Sequence, residues 1–146
     1  MKGKLTNSLL NLHKLKYLNL AYNKLQGPLS DSSEWIFLKD LQFIEIQSNR
    51  ISGTIPAFWR YLSKLEYVDV GYNNFTGQIP IFEAAQDLKG VDFSDNMFSG
   101  AYPREYFDKT RWKKLEFINA NFNQEIIVPE FCIRYAFCFK SKFYRS

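Results

Sequence analysis

Carboxylates are the side chains whose spacing could support chemistry in this 146-residue sequence. Asp69 and Asp92 occupy equivalent places in two similar segments, so adjacent strands would set them side by side. Each carboxylate would then raise the pKa of the other, which is the minimum arrangement for an acid–base couple. We nevertheless expect no enzyme, because exposed carboxylates on a shallow sheet lack a pocket that excludes water.

Histidine and cysteine add little to this chemistry. His13 is the single histidine, which leaves no Ser/His/Asp or Cys/His arrangement. Cys132 and Cys138 are the only cysteines, with no histidine near them, so we expect no metal and no cofactor. A regular helix would hold these cysteines about 9 Å apart along its axis. They are a candidate disulfide only if their segment is irregular, and the sequence leaves both states open.

The segments that would position the carboxylates are copies of one pattern. Residues 65–80 have aliphatic side chains at the first, fourth and sixth positions, Asn at the ninth, and a Gly-x-Ile-Pro ending. The ninth-position residues of the five copies are Asn23, Asn49, Asn73, Asn96 and Asn123, at steps of 26, 24, 23 and 27 residues. A repeat of this length indicates a solenoid of stacked units.

Each half of the pattern has a structural role. The first half alternates, so Leu18 and Leu20 point to one side while Tyr17 and Asn19 point to the other, as in a short strand. Stacked strands would form a parallel sheet over one continuous core. The ninth-position Asn can donate and accept hydrogen bonds at once, which suits it to backbone groups left open where the chain turns.

The connecting segments are expected to be short and aromatic. Asp31 or Ser32 is a candidate helix N-cap, and the aromatic residues that follow are expected to fill the core or cover the convex surface. Leu9, Leu12 and Leu15 are spaced like the approach to a first strand, and no cap precedes them. We therefore expect a fragment of a longer solenoid or a short protein with an unusual start. An uncapped first repeat could self-associate through its open edge.

The full pattern, Leu-x-x-Leu-x-Leu-x-x-Asn-x-Leu-x-Gly-x-Ile-Pro, resembles the plant-type leucine-rich repeats of receptor-like kinases and receptor-like proteins. Residues 51–56 and 75–80 match its ending well. The resemblance implies an α/β solenoid, a right-handed coil of about five units. A parallel β-sheet would form the concave face, and irregular or 3-10 segments would form the convex side.

The resemblance also implies one domain over residues 1–146. We expect repeats at about 9–30, 35–57, 59–81, 82–104 and 109–129, followed by a C-terminal cap at 130–146. The sequence departs from the family pattern in three places. There is no cysteine-pair amino-terminal cap, residues 100–103 loosen the usual ending, and Ala120 stands where a larger aliphatic residue belongs.

The predicted binding surface is the outward face of the sheet, where the third, fifth and eighth positions form columns. Its residues are Tyr17, Asn19, Tyr22, Phe43, Glu45, Tyr67, Asp69, Tyr72, Asp92, Asp95, Phe117, Asn119 and Phe122. The columns contain no Lys or Arg, and aromatic groups beside adaptable polar ones favour a protein or peptide ligand. A solvated face that follows the family habit of Asp at the fifth position explains the acidic column equally well.

The charge distribution narrows the choice of partner. The net charge is +4, but residues 1–16 and 134–146 together carry +8 without any acid, which leaves −4 for the middle. A nucleic-acid groove along the repeats is therefore disfavoured. A cationic peptide or a basic protein patch is the better electrostatic match.

The sequence allows two interpretations of the cellular compartment and two of the protein's role. The sequence has neither a signal-peptide profile nor about 18 consecutive apolar residues, so we expect no membrane contact by this chain. Asn74 begins an Asn-x-Thr sequon. It is a candidate glycosylation site if the protein is secreted, and only a part of the repeat pattern if the protein is cytoplasmic. The resemblance implies an extracellular or cell-surface recognition module of a signalling receptor. The alternative is a structural or assembly segment without its own ligand.

Overall fold

A computed structural model describes residues 1–124 and 126–127 of the chain. These residues form twelve short strands, here β1 to β12 in chain order. They are Lys2–Gly3, Tyr17–Asn19, Lys24–Pro28, Phe43–Glu45, Arg50–Gly53, Tyr67–Asp69, Asn74–Gly77, Gly90–Asp92, Met97–Phe98, Gly100–Ala101, Phe117–Asn119 and Ile126–Ile127. Cys132, Cys138 and the predicted cap at 130–146 lie outside the described residues.

The first sheet contains the five strands that the repeat pattern predicts. Its order is β11-β8-β6-β4-β2, and every neighbouring pair is parallel. The middle residue of each strand points inward and is buried, and these residues are Leu18, Ile44, Val68, Val91 and Ile118. The alternation of a half-buried strand therefore appears in every unit, and the predicted solenoid is confirmed.

A second parallel sheet, which the sequence analysis did not predict, follows the turn of each unit. Its order is β1-β3-β5-β7-β9, and Leu25, Ile51, Phe75 and Phe98 point from it into the core. A small two-stranded sheet joins β10 and β12. The core is thus enclosed between two sheets, because apolar side chains enter it both before and after the turn.

Short 3-10 helices complete most units on the side away from the first sheet. They span Asn7–Asn11, Ser33–Phe37, Ala57–Tyr61 and Arg104–Phe107. Ser32 is the N-cap of the second helix, since its hydroxyl accepts a hydrogen bond from Glu34 N at 3.2 Å. Asp31 instead accepts a hydrogen bond from Ala57 N of the following unit at 2.8 Å. Within the described part of the chain no helix is long and apolar enough to cross a membrane.

The aromatic residues of these segments divide between the core and the surface, since Phe37 and Tyr61 are 48% and 57% exposed. Trp35, Trp59 and Tyr106 are each 1% exposed, and the rings of the two tryptophans meet edge to face at 5.2 Å. In the approach to the first strand, Leu10 is buried in the core, Leu9 and Leu15 are partly buried against it, and Leu12 is 52% exposed.

The ninth-position asparagines connect each unit to the one before it. Asn49 Oδ1 accepts a hydrogen bond from Leu25 N at 2.9 Å. Its Nδ2 donates to Leu20 O at 2.9 Å and to Ile46 O at 3.1 Å. Asn73 and Asn96 repeat this arrangement one and two units later. The Asn column therefore joins adjacent units through hydrogen bonds to their backbones, and we call the arrangement the Asn ladder.

Candidate functional site

The third-position residues form an aromatic row on the outward face of the first sheet. Tyr17 and Phe43 are neighbours across β2 and β4, and their rings stack at 4.7 Å with an interplanar angle of 7°. Tyr67 and Phe117 lie 6.0 Å apart although one strand separates them. The structure thus brings the predicted aromatic column together as two ring pairs.

Gly90 allows the second ring pair to form. It is the third-position residue of β8, between Tyr67 on β6 and Phe117 on β11. A Cβ atom on Gly90 would lie 2.4 Å from a ring carbon of Phe117. The Phe117 ring therefore covers Gly90, and the absence of a side chain there lets the ring reach toward Tyr67.

The fifth-position residues form a row of three adjacent carboxylates with an amide at each end. Asn19 Nδ2 donates to Glu45 Oε2 at 2.7 Å, and Asn119 Nδ2 donates to Asp92 Oδ2 at 2.9 Å. Asp69 lies between these pairs, and its Oδ1 accepts a hydrogen bond from Gly71 N at 3.0 Å. The predicted column is therefore continuous, and the amides at its ends leave the acidic charge concentrated at its centre.

Burial and neighbouring charges perturb the groups at the centre of this row. Burial, with smaller contributions from Asp92 and Glu45, raises the pKa of Asp69 to about 6, although the hydrogen bonds from Gly71 and Tyr67 oppose the shift. Burial and the nearby carboxylates raise the pKa of Tyr67 to about 12. The Asp69 carboxyl therefore titrates close to neutral pH, and the Tyr67 hydroxyl keeps its proton.

We expect Asp69→Asn to stabilise the protein at pH 7 but not at pH 4. The folded state raises the pKa of Asp69, so the stability that this group contributes is complete below about pH 4 and is lost as the pH rises through about 6. Asparagine avoids this loss and keeps the turn, because Asn19 and Asn119 accept the equivalent hydrogen bonds from Ala21 N and Asn121 N at 3.1 Å.

Urea unfolding at the two pH values measures the effect. We expect a gain of about 1 kcal/mol at pH 7, after discounting for the partial exposure of the carboxyl group. Asp87→Asn is the matched control, since Lys114 lowers the pKa of that exposed carboxyl and its replacement should give no gain at pH 7. An equal effect of Asp69→Asn at both pH values would contradict the expected titration.

The eighth-position residues share an uncommon backbone conformation. All have a positive φ between 52° and 57°, and they are Tyr22, Ser48, Tyr72, Asp95 and Phe122. Left-handed backbone is unfavourable for bulky side chains, so the surrounding structure must impose it. Tyr22, Tyr72 and Phe122 are 79%, 61% and 67% exposed. The turn therefore presents these side chains to solvent at the edge of the first sheet.

A cavity of about 330 Å³ opens between the fifth and eighth positions at the centre of this face. Its lining residues are Tyr22, Gln47, Ser48, Asp69, Gly71, Tyr72, Asp92 and Ser94. The repeat pattern did not predict this cavity, which is open to solvent. The cavity exists because Gly71 has no side chain: a Cβ there would lie 3.2 Å from Asp69 Oδ1 and 3.3 Å from both Asp92 Oδ1 and Ser94 Oγ.

The sequence analysis missed the contribution of the seventh position to this site. Gln47, Gly71 and Ser94 hold that position in the three central units and line the cavity. The available signal was the single glycine in a column otherwise made of Ala21, Gln47, Ser94 and Asn121. Among the described residues, no group of three or more His, Cys, Asp or Glu side chains could hold a metal ion.

The two sheets, the 3-10 helices and the Asn ladder define a leucine-rich repeat solenoid, which is a binding scaffold. The Leucine Rich Repeat family model matches residues 14–35. A search of curated protein sequences gave no significant match. Solved structures similar to this one include ectodomains of plant receptor kinases, and the chain is similar to leucine-rich repeat proteins of the plant type.

Three solved structures illustrate the similarity. The ectodomain of the receptor kinase SOBIR1 from Arabidopsis thaliana has 25% identity and a TM-score of 0.78, with 88% of this chain and 67% of that one covered. Pollen Receptor Kinase 3 has 29% identity and a TM-score of 0.74, with 86% and 58% covered. The Arabidopsis receptor kinase HAESA has 28% identity and a TM-score of 0.71, with 87% and 20% covered. The chain thus spans only part of each of these structures.

Proposed function

We propose that this module recognises a peptide, or an extended segment of a protein, along the outward face of the first sheet. The observation that carries the proposal is the continuity of this face. An aromatic row, an acidic row and a central cavity run side by side across five strands. Aromatic rings supply contact area, and polar groups beside them fix the register of a bound chain. We propose no catalytic role.

The comparisons support this function for the fold. HAESA has been solved in complex with the peptide hormone IDA and the co-receptor SERK1. We propose an extracellular or cell-surface location for this chain on the same grounds. Asn74, the candidate glycosylation site, is exposed on β7 of the second sheet, so a glycan there would leave the outward face of the first sheet open.

A displayed random-peptide library, panned on the purified protein, tests this function. We expect peptides that bind the wild type and lose at least tenfold in affinity with Tyr72→Asn. This variant removes a ring that lines the cavity, and asparagine tolerates the left-handed backbone at that position. Tyr61→Asn is the matched control, because Tyr61 has a similar exposure of 57% but belongs to a 3-10 helix on the opposite side.

Comparison of Tyr72→Asn with Tyr61→Asn distinguishes peptide binding at the outward face of the first sheet from peptide binding at another surface. Retained affinity in Tyr61→Asn, with loss in Tyr72→Asn, would support the proposal. Equal losses in both variants, or selected peptides that ignore Tyr72, would contradict it. Thermal unfolding of each variant shows whether any loss reflects the fold or the site.

A further inference from the structure

The central cavity has more hydrogen-bond acceptors than donors. Its polar wall is formed by Asp69, Asp92, Ser94 and Gln47. Asp92 is well satisfied, because Ser94 N, Ser94 Oγ and Asn119 Nδ2 all donate to it. Asp69 accepts a hydrogen bond from Gly71 N and another from the Tyr67 hydroxyl. The side-chain oxygen of Gln47 is buried and accepts no hydrogen bond from the described residues. A ligand of this cavity should therefore bring several N–H donors.

The cavity also lacks a counter-ion of its own. Among the described residues, the ion pairs join Arg60 to Glu83, Lys64 to Asp40, Lys89 to Glu66 and Lys114 to Asp87. None of them includes Asp69 or Asp92. The cavity wall thus concentrates negative charge that a positively charged ligand would neutralise.

The open side of the cavity favours a flat cation. Tyr22 and Tyr72 belong to units on either side of Ser48, so two strand spacings of about 10 Å in all separate their backbones. Both rings and the small Ser48 side chain between their units line the cavity. A cation is attracted to the face of a tyrosine ring, and a planar guanidinium can stack there while its N–H groups reach acceptors below.

We propose that this cavity binds the guanidinium group of an arginine side chain supplied by the partner. The inference rests on the proposed recognition function and assigns it a chemical anchor. The Asp69 carboxylate takes a forked pair of N–H donors, and Tyr22 and Tyr72 flank the plane of the group. A primary ammonium has neither the plane nor the five donors that this set of acceptors suits.

The protonation of Asp69 determines how the affinity of this site for arginine changes with pH. Burial, together with Asp92 and Glu45 on the neighbouring strands, raises the pKa of Asp69 to about 6, while the hydrogen bonds from Gly71 and Tyr67 oppose the shift. Tyr22 and Tyr72 are the other titratable groups of the lining. The affinity for a guanidinium should therefore rise between pH 5 and pH 7, as the Asp69 carboxyl loses its proton.

N-acetyl-arginine amide is the probe, and N-acetyl-citrulline amide is its neutral isostere. Titrations followed by backbone amide chemical shifts at pH 7 should show saturable changes at Gly71 and Ser94 with the arginine compound, and at least tenfold weaker binding with citrulline. Asp69→Asn should reduce the affinity for arginine about tenfold and remove its pH dependence. Glu105→Gln, on the 3-10 helix side, is the control that removes one charge elsewhere and should leave the affinity unchanged.

Equal binding of the two compounds, or equal losses in Asp69→Asn and Glu105→Gln, would overturn the arginine site. The selected peptides distinguish this result from a failure of the proposed function. Peptides that depend on Tyr72 but tolerate replacement of every arginine by citrulline would overturn the arginine site and leave the recognition function standing. Probe binding that depends on Asp69 while panning yields no peptide would support the site and contradict peptide recognition.

Discussion

Replacing Asn73 by alanine is expected to lower the free energy of unfolding by about 3 kcal/mol. Asn73 is 8% exposed. Its Oδ1 accepts a hydrogen bond from Ile51 N at 3.0 Å, and its Nδ2 donates to Ile46 O at 3.0 Å and to Val70 O and Gly71 O at 3.2 Å. Alanine leaves the buried Ile51 N–H without this acceptor, and urea unfolding measures the cost.

The other groups around Asn73 limit the loss. Asn49 still donates to Ile46 O, and Asn96 still donates to Val70 O, so these carbonyls keep a partner. Asn74→Ala is the matched control, because the neighbouring side chain is exposed and its removal should cost less than about 0.5 kcal/mol. A loss below about 1 kcal/mol in Asn73→Ala would show that the Asn ladder contributes little to stability.

Gly71→Gln is expected to abolish binding in the central cavity, with an affinity loss of at least tenfold for N-acetyl-arginine amide. The new side chain would occupy the space between Asp69, Asp92 and Ser94, where even a Cβ atom comes within 3.3 Å of their oxygens. The fold should tolerate the change, because Gln47 holds the same position one unit earlier and Gly71 has no positive φ. Chemical-shift titration measures the affinity, and thermal unfolding checks the fold.

Ala21→Gln is the control for this variant. It makes a similar addition at the same position of the first unit, and Ala21 is not part of the cavity lining. Its affinity for the arginine probe should match that of the wild type. Full binding in Gly71→Gln would place the probe outside the cavity and would contradict the arginine site.

The repeat pattern predicts the units and the first sheet, because each position of the pattern has one dominant physical role. Leu18, Val68 and Ile118 are buried because strand alternation requires it, and Asn73 bridges two units because an amide can donate and accept together. The second sheet escaped prediction for an equally physical reason. β3 and β5 contain Gly27 and Gly53, and glycine ordinarily indicates a turn.

The cavity could not be predicted from the same pattern. It depends on the absence of a side chain at Gly71, the seventh position of one unit. It also depends on how the two adjacent units align with that position. The covering of Gly90 by Phe117 is likewise a contact between units. Repeat periodicity describes what all units share, whereas these features arise from the differences between adjacent units.

At each turn, the residues that stabilise the fold are different from the residues that face outward. This separation determines how the binding specificity can be changed. The Asn ladder supplies hydrogen bonds that hold the turns, while Tyr22, Ser48, Tyr72, Asp95 and Phe122 point outward from the same backbone geometry. Aromatic, hydroxyl and acidic side chains all occupy this place, so its chemistry is exchangeable at little cost to folding. Single substitutions in this column should therefore change the binding specificity and leave the backbone of the turn unchanged.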